Sequence, residues 1–376
     1  MLSVLVAAIG PLDGSGYATR IDSMIGAYAA AGWHVDLVHV RRPDQAPATE
    51  TLSRKLRRYV ELEVPVRRRD HMSLVPPLAR LAGRAWNERG IDLGSYDVAQ
   101  AESSAAWEVV ARARAHRRVL VFHDDDSVRY RRLAHQVAGL PRKAARLTAA
   151  WKYDVYQRRA ARGAEMIWFV SDDERRRFAN GHERTRLVPN GAGREFFDVA
   201  AEPDGTTVAF VGPAGYDTNR RAVDQLVAHA WPAIRACVPS AELRLIGRGW
   251  EAHEDREAGI VASGWVDDLP AALGETAVAV APHLDGGGTK LKIIEAMAAA
   301  RPVVATVVGA EGIPVSPGMV IADDPDGFAR AVVELLRDKE RRRRSGRSNR
   351  AAVEHLEWSR IWAPVVAGLQ GDLDSD

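Results

Sequence analysis

The sequence predicts two doubly wound α/β domains facing each other across a cleft. Three observations carry this. Short apolar runs alternate with helix-spaced segments through most of the 376 residues. The alternation restarts after a link, "AAEPDG" at 200–205, that is rich in turn formers. The length is comfortable for two domains. Strands alternating with helices form parallel sheets covered on both faces. Ligands of such sheets bind beyond the carboxyl ends of the strands, so a cleft lined by two such edges is the expected site.

Each element has its own signal. "LSVLVAA" (2–8) reads as a buried first strand. No positive residue precedes it and no small-residue cleavage site follows, which argues against a signal peptide. "TRIDSMIGAYAAAG" (19–32) places Ile21, Met24, Ile25 and Tyr28 at helical spacing, with Gly32 at the C-terminal cap. "HVDLVHV" (34–40), "DVAQA" (97–101), "RVLVF" (118–122), "AEMIWFV" (164–170) and "TRLVP" (185–189) continue as strands. The second half opens on the strand "TTVAFVG" (206–212), then a helix around 219–236 and the strand "AELRLIG" (241–247). The strand "TAVAVAP" (276–282), a helix over 289–300 and the strand "PVVAT" (302–306) follow. The expected domains are 1–198 and 199–354. The segment 355–376 is a helix returning to the first domain, ending in a frayed tail.

Composition narrows the class. With 46% apolar and 27% charged residues the chain reads as globular and soluble. No run approaches the roughly 18–20 apolar residues that span a bilayer. A single cysteine, Cys237, excludes an internal disulfide framework and a cysteine metal site, and points to the cytoplasm. The net charge of +2 hides an asymmetry. Residues 1–200 hold 33 Lys+Arg against 24 Asp+Glu (+9), and the rest hold 19 against 26 (−7). "KERRRRSGR" (339–347) reads as a solvated helix face, with anionic lipid as a minority partner.

The most informative stretch is "APHLDGGGTKLKIIEAMAAARPVVAT" (281–306). A strand, a glycine-rich turn and a helix N-terminus together make an anion site. The first turn has unpaired N–H groups and the positive end of the dipole. Gly286, Gly287 and Gly288 let backbone approach a phosphate. Lys290 and Lys292 are two of only six lysines beside 46 arginines. An ammonium binds phosphate as a compact point charge. Cations in a first turn oppose the dipole, and a bound anion removes that conflict. Glu295 lies three residues past Lys292. It suits a ribose diol; an exposed ion pair with Lys292 is the other reading.

The string "GGGTKLKIIEAMAAARPVVATVVGAEGI" resembles the donor-binding signature of retaining GT-B glycosyltransferases, the group around family 4. "GPLDGSGYATRI", "LVPNGAGREFF", "VAFVGPAGYDTNRRAVDQL", "ELRLIGRG" and "SGWVDDLPAAL" match further parts in order, over roughly residues 1–370. The resemblance implies two Rossmann-like domains, the first for the acceptor and the second for a nucleotide-diphosphate sugar, with no cofactor and no metal. It places Glu295 on the donor ribose, and Gly288, Thr289, Lys290 and Leu291 at the diphosphate and sugar. Gly14, Ser15 and Gly16 fall in the first-domain loop touching the phosphates, and Gly212 ends the strand that opens the second domain. Two departures stand out. The family's second glutamate, on the transferred sugar, is here Gly287, with Asp285 the nearest carboxylate. The usual Arg and Lys after the first strand of domain two are missing. Lys290 or Lys292 then grips the diphosphate, with Arg220 or Arg221 as weaker candidates. In this group the leaving diphosphate deprotonates the acceptor hydroxyl, so Lys290 has a catalytic role in stabilising developing charge.

"VLVFHDDDSVRYRR" ends a strand on His123. The resemblance puts this imidazole at the carboxyl edge, facing the donor sugar in a catalytic role. Asp124, Asp125 and Asp126 contain Asp-x-Asp, a metal motif in the other major glycosyltransferase fold. The reading preferred here is an acidic N-cap for the next helix. The expected partners are a nucleotide-sugar donor and an anionic or membrane-presented acceptor. Peripheral contact with the inner membrane surface is expected, and no nucleic acid. A nucleotide-sugar epimerase of the same shape and a donor-binding protein without turnover are the alternatives.

Overall fold

The computed structural model describes residues 1–12, 15–45, 47–65, 75–89, 92–123, 125–178, 184–200 and 205–375. They form two compact units, Met1–Pro189 with Ser359–Asp376, and Asn190–Trp358. Helix Trp358–Asp374 thus counts almost wholly with the first unit.

The first unit holds seven strands: β1 (Ser3–Ile9), β2 (His34–Arg41), β3 (Arg58–Glu63), β4 (Ser95–Ala101), β5 (Arg114–Phe122), β6 (Met166–Phe169) and β7 (Thr185–Leu187). Their order is β3-β2-β1-β4-β5-β6-β7, and every pairing is parallel. The chain reverses its direction of travel between β1 and β4, where Val4 lies between Val35 and Val98. A reversal of this kind leaves a crevice at the carboxyl edge. Helix Gly16–Ala30 starts three residues earlier than its apolar pattern, because Ser15 caps it by accepting from the Ala18 amide at 3.3 Å. Ile21, Met24, Ile25 and Tyr28 are all buried. Trp168 and Trp362 lie 6.4 Å apart by ring centroid.

The second unit holds β8 (Thr207–Val211), β9 (Glu242–Ile246), β10 (Ile260–Gly264), β11 (Val278–Ala281), β12 (Val303–Ala305) and β13 (Met319–Ile321). The order is β10-β9-β8-β11-β12-β13, again all parallel, with the reversal between β8 and β11. Val208, Phe210, Leu243, Leu245, Val278 and Val280 form its core with Trp231, Ile234, Val332 and Leu335 from the helices. The helix expected over 219–236 carries a π turn at Leu226–Ala230. Pro232 follows at once; it has no N–H to return to the preceding turn.

β3, β10 and β13 had no counterpart in the sequence reading. All three are edge strands with a single neighbour. Edge strands keep polar side chains on their open side, so "RYVELE" alternates too weakly to stand out. The arginine run of 341–344 lies in helix Lys339–Val353. Arg342 is buried and donates to the Leu335 and Leu336 carbonyls, Arg341 pairs with Glu334, and Arg343 pairs with Glu340. Among the described residues, no helix is long and apolar enough to cross a membrane.

Candidate active site

In the second unit the loops after β8 and β11 flank the reversal point, and the glycine-rich turn is one of them. Gly286 has φ +115° and Gly288 φ +66°, left-handed backbone that favours glycine. The helix that follows is Leu291–Ala298, shorter than the 289–300 read from sequence. Lys290 is its N-cap in extended geometry, and no side chain caps the end. Thr289 is the residue best suited to cap by type, yet its Oγ1 is buried with no hydrogen-bond partner. The first turn has no acidic residue. Two lysines stand at the positive end of a dipole, each unfavourable by roughly 0.3–1 kcal/mol without an anion.

Lys290 Nζ donates to the Gly288 carbonyl at 3.1 Å. Lys292 turns inward. Its Nζ donates to Asn219 Oδ1 at 2.9 Å and sits 4.3 Å from the centroid of the Phe210 ring. No carboxylate lies within ion-pair distance of Lys292 among the described residues. Burial, helped by the Lys290 charge, pushes its pKa down to about 7, while Glu295 pulls the other way. Asn219 is held by its own amide, which donates to the Pro213 carbonyl at 2.9 Å. His283 Nε2 lies 3.2 Å from Asn219 Oδ1. Burial and the two lysines hold His283 well below the usual imidazole range, so it is neutral and donates from Nε2. Gly212, with φ +139°, completes the cluster. A Cβ there would lie 2.7 Å from Asn219 Nδ2 and 2.8 Å from Lys292 Nζ. Only glycine lets this turn close on the ammonium.

Glu295 is one turn further on and buried, which removes the exposed-ion-pair reading. Burial, with the Glu195 carboxylate adding to it, pushes its pKa up to about 7 against the pull of Lys292. The folded state therefore keeps this proton between about pH 4.5 and pH 7, where the unfolded chain has lost it. Stability from this group is full below about 4.5 and is lost as pH rises to about 7. Glu295→Gln is expected to remove that loss. Denaturant unfolding should show the variant gaining on wild type from pH 5 to pH 8, by at most about 3 kcal/mol. An unchanged difference would contradict a buried, proton-holding Glu295.

Asp285 is buried in the same turn. Its Oδ2 accepts from Arg221 Nε at 2.7 Å, and Arg221 Nη2 lies 2.6 Å away, while Oδ1 has no partner. Arg221 is thereby committed to Asp285, and Arg220 pairs with Asp217 at 2.5 Å. Gly287 is half-buried between Asp285 and the helix. Leu291, the first helical residue, is buried.

The first unit, taken by itself, has a polar cluster at its own reversal point. Gly14 lies outside the described residues, as does Asp124. Ser15 is occupied as a cap, and Gly16 is the first helical residue. His123 follows β5, and its Nε2 is 2.9 Å from Oε2 of Glu102, which follows β4. Glu102 is fully buried; Gln100 donates to its other oxygen, and Arg20 Nε stands 3.9 Å away. The Tyr17 hydroxyl donates to the Glu102 carbonyl at 2.6 Å, and its ring meets the His123 ring edge-on at 5.3 Å. Burial works to raise the Glu102 pKa, but His123, Arg20 and Gln100 prevail and it is lowered. Burial lowers the His123 pKa despite the carboxylate. The pair is a carboxylate accepting Nε2–H from a neutral imidazole. Asp125 caps the next helix, accepting from the Val128 amide at 3.2 Å and the Ser127 hydroxyl at 2.6 Å. Asp126 pairs with Arg129 at 3.0 Å.

Sequence reasoning missed Arg20, Glu102, Asn219 and His283. Arg20 had a signal: it lies four residues before Met24, on the apolar stripe of its helix, where a charge needs a buried partner. The others required the sheet order, which brings residues of different loops together.

Two doubly wound parallel domains, the second with a glycine-rich turn at its reversal point, are the GT-B glycosyltransferase fold. Anabaena HepE in complex with UDP and glucose superposes with TM-score 0.63 at 15% identity, covering 97% of this chain and 99% of that one. Staphylococcus aureus TarM, in complex with fondaparinux, α-GlcNAc-glycerol and UDP, gives TM-score 0.70 at 9% identity over 100% of both chains. Residues 15–191 match the family "Glycosyl transferase 4-like domain", and residues 205–338 match "Glycosyl transferases group 1". The chain thus has the GT-B fold, and its two halves are similar to two glycosyltransferase domain families. Phosphatidyl-myo-inositol mannosyltransferase of Mycolicibacterium smegmatis is 34% identical over 197 residues, 48% of this chain and 50% of the relative. That of Mycobacterium leprae is 30% identical over 195 residues, 48% of this chain and 51% of the relative. The chain spans about half the length of the curated relatives it matches.

Proposed function

We propose that the chain is a retaining glycosyltransferase that moves a hexosyl group from a nucleoside-diphosphate sugar to an acceptor hydroxyl, without a metal. The observation that carries this reading is the turn before Leu291. Two lysines crowd an uncapped helix N-terminus, one of them half-buried beside Asn219 with no carboxylate in ion-pair reach among the described residues. Holding a half-buried ammonium without a counter-charge carries a desolvation penalty. A diphosphate offsets that cost and accepts from the open amides. Lys290 and Lys292 then meet the charge that grows on the leaving diphosphate. Glu295, one helical turn away, takes the ribose hydroxyls, and the free Oδ1 of Asp285 takes a hydroxyl of the sugar. His123 is the candidate catalytic group of the first domain. The solved neighbours in complex with UDP and the relatives named as mannosyltransferases support the donor class. Their name makes mannose and a membrane inositol lipid the first substrate pair to try.

Thermal-shift measurements with a panel of nucleoside diphosphates test the donor site, since binding raises apparent stability with affinity. One base is expected to give a large shift. Glu295→Ala is expected to weaken ribonucleoside diphosphates more than inorganic diphosphate, and equal losses would remove the ribose role. The anomeric configuration of the product, read by NMR, decides retention. Donor altered without acceptor would make the chain an epimerase, and binding without turnover would make it a donor-binding protein.

A further inference from the structure

Helix Leu140–Gly163 is 24 residues long, about 36 Å, and it leads directly into β6, which has four residues and spans about 13 Å. The helix is therefore far longer than the strand edge it descends to. Its partner, helix Asp126–Gln136, begins at the carboxyl edge of the sheet, just after β5 and His123. The two pack as an antiparallel hairpin. Tyr130 stacks on Tyr153 with centroids 5.1 Å apart, Arg131 faces Asp154 at 3.9 Å, and Arg146 stands 5.9 Å from the Tyr130 ring. With that register the first helix rises outward from the carboxyl edge, and residues 140–156 return beside it, beyond that edge.

The outer face of this return helix is unusual. Ala150, Tyr153, Tyr156, Gln157, Ala160 and Ala161 are buried on one side. Opposite them, at helical spacing, Leu140, Leu147, Trp151 and Val155 are 84%, 44%, 53% and 49% exposed. Residues 140–148 are exposed without interruption. Cations border this stripe. The hairpin 126–163 holds ten Lys+Arg against two Asp, a net +8. Arg142, Lys143, Arg159 and Arg162 have no carboxylate within ion-pair distance among the described residues. A Trp-bearing apolar stripe between unpaired cations fits a boundary where lipid tails meet anionic headgroups.

We propose that the outer face of helix Leu140–Gly163 docks on an anionic lipid membrane, with Leu147, Trp151 and Val155 entering the headgroup boundary and Lys143, Arg159 and Arg162 facing lipid phosphates. The hairpin projects from the same sheet edge that carries His123, so docking turns that edge toward lipid. What this means for an acceptor rests on the transferase reading; the docking itself does not.

Co-sedimentation of the full chain with vesicles tests it, using phosphatidylcholine alone and an equal mixture with phosphatidylglycerol. Binding is expected to the mixture, and to fall steeply as salt is raised to about 0.5 M. Leu147→Ser with Trp151→Ser, and separately Lys143→Glu with Arg159→Glu, are each expected to weaken it at least about tenfold. All four side chains are exposed, so the variants should fold, and an unchanged far-ultraviolet spectrum checks this. Equal binding to both vesicle types, or binding indifferent to both pairs of substitutions, overturns the proposal. So does a wild-type chain that ignores vesicles but self-associates through this face, with the dimer lost in the double serine variant. The nucleoside-diphosphate thermal shift is read in parallel. Its absence throughout would count against the donor site and leave the vesicle result standing.

Discussion

Lys292→Met is expected to lower kcat/KM by about 100- to 1,000-fold and to abolish most of the diphosphate-induced thermal shift, while the second unit stays folded. A merely structural lysine would give the opposite pattern. Methionine keeps much of the stem and drops the ammonium that lies over Phe210. The half-buried charge lacks a carboxylate partner in reach among the described residues, so its removal relieves desolvation, and the unliganded variant should be at least as stable as wild type. The pH dependence gives a second readout. Folded Lys292 releases its proton near pH 7, whereas the unfolded amine holds it to about 10.5. In that window the unfolded chain binds more protons, so wild-type stability gains as pH rises from about 7 toward 10.5. Lys292→Met should lack this gain. Retained turnover with a retained thermal shift would end the assignment of Lys292 to the diphosphate.

The second large effect concerns the first unit. His123→Ala is expected to lower kcat by about 100-fold or more with little change in nucleotide affinity. Glu102 is a positioning residue for it. In Glu102→Gln the new amide can donate toward Nε2, which reverses the tautomer that the carboxylate enforces. A loss of about tenfold is expected, smaller than that of His123→Ala. The diagnostic is the pH profile. Glu102 raises the His123 pKa, so its neutralisation should move the acid limb of kcat to lower pH. An acid limb that does not move would mean that His123 does not titrate in the reaction.

The doubly wound architecture was legible because central strands of a parallel sheet are apolar throughout. "SVLVAAI", "VAFV" and "AVAVA" announce themselves, whereas the edge strand "RYVELE" does not. The Gly286–Lys292 turn was legible because its chemistry is local: glycines, cations and helix start lie within seven residues of one another. What sequence did not offer was the inward turn of Lys292. That depends on Asn219, 73 positions earlier, and on a glycine at 212 that clears space for both. The Glu102–His123 pair was equally hidden. Its members end adjacent strands, and adjacency of β4 and β5 is a property of the sheet. Helix ends shifted by a few residues for local reasons: Ser15 pulled one start forward, and the extended backbone of Lys290 pushed another back.

Trp362 has a consequence for how the chain matures. Its indole packs 4.9 Å from the Arg20 guanidinium and donates to Ser23 Oγ at 3.0 Å, both on the first helix of the chain. More than 300 positions of sequence separate these groups. On the ribosome the amino-terminal sheet emerges early, but one wall of it stays open until residues 358–374 have emerged. The usual order of folding is thereby inverted: the later unit, whose contacts close within 190–358, can complete itself first, and the earlier one waits for helix Trp358–Asp374.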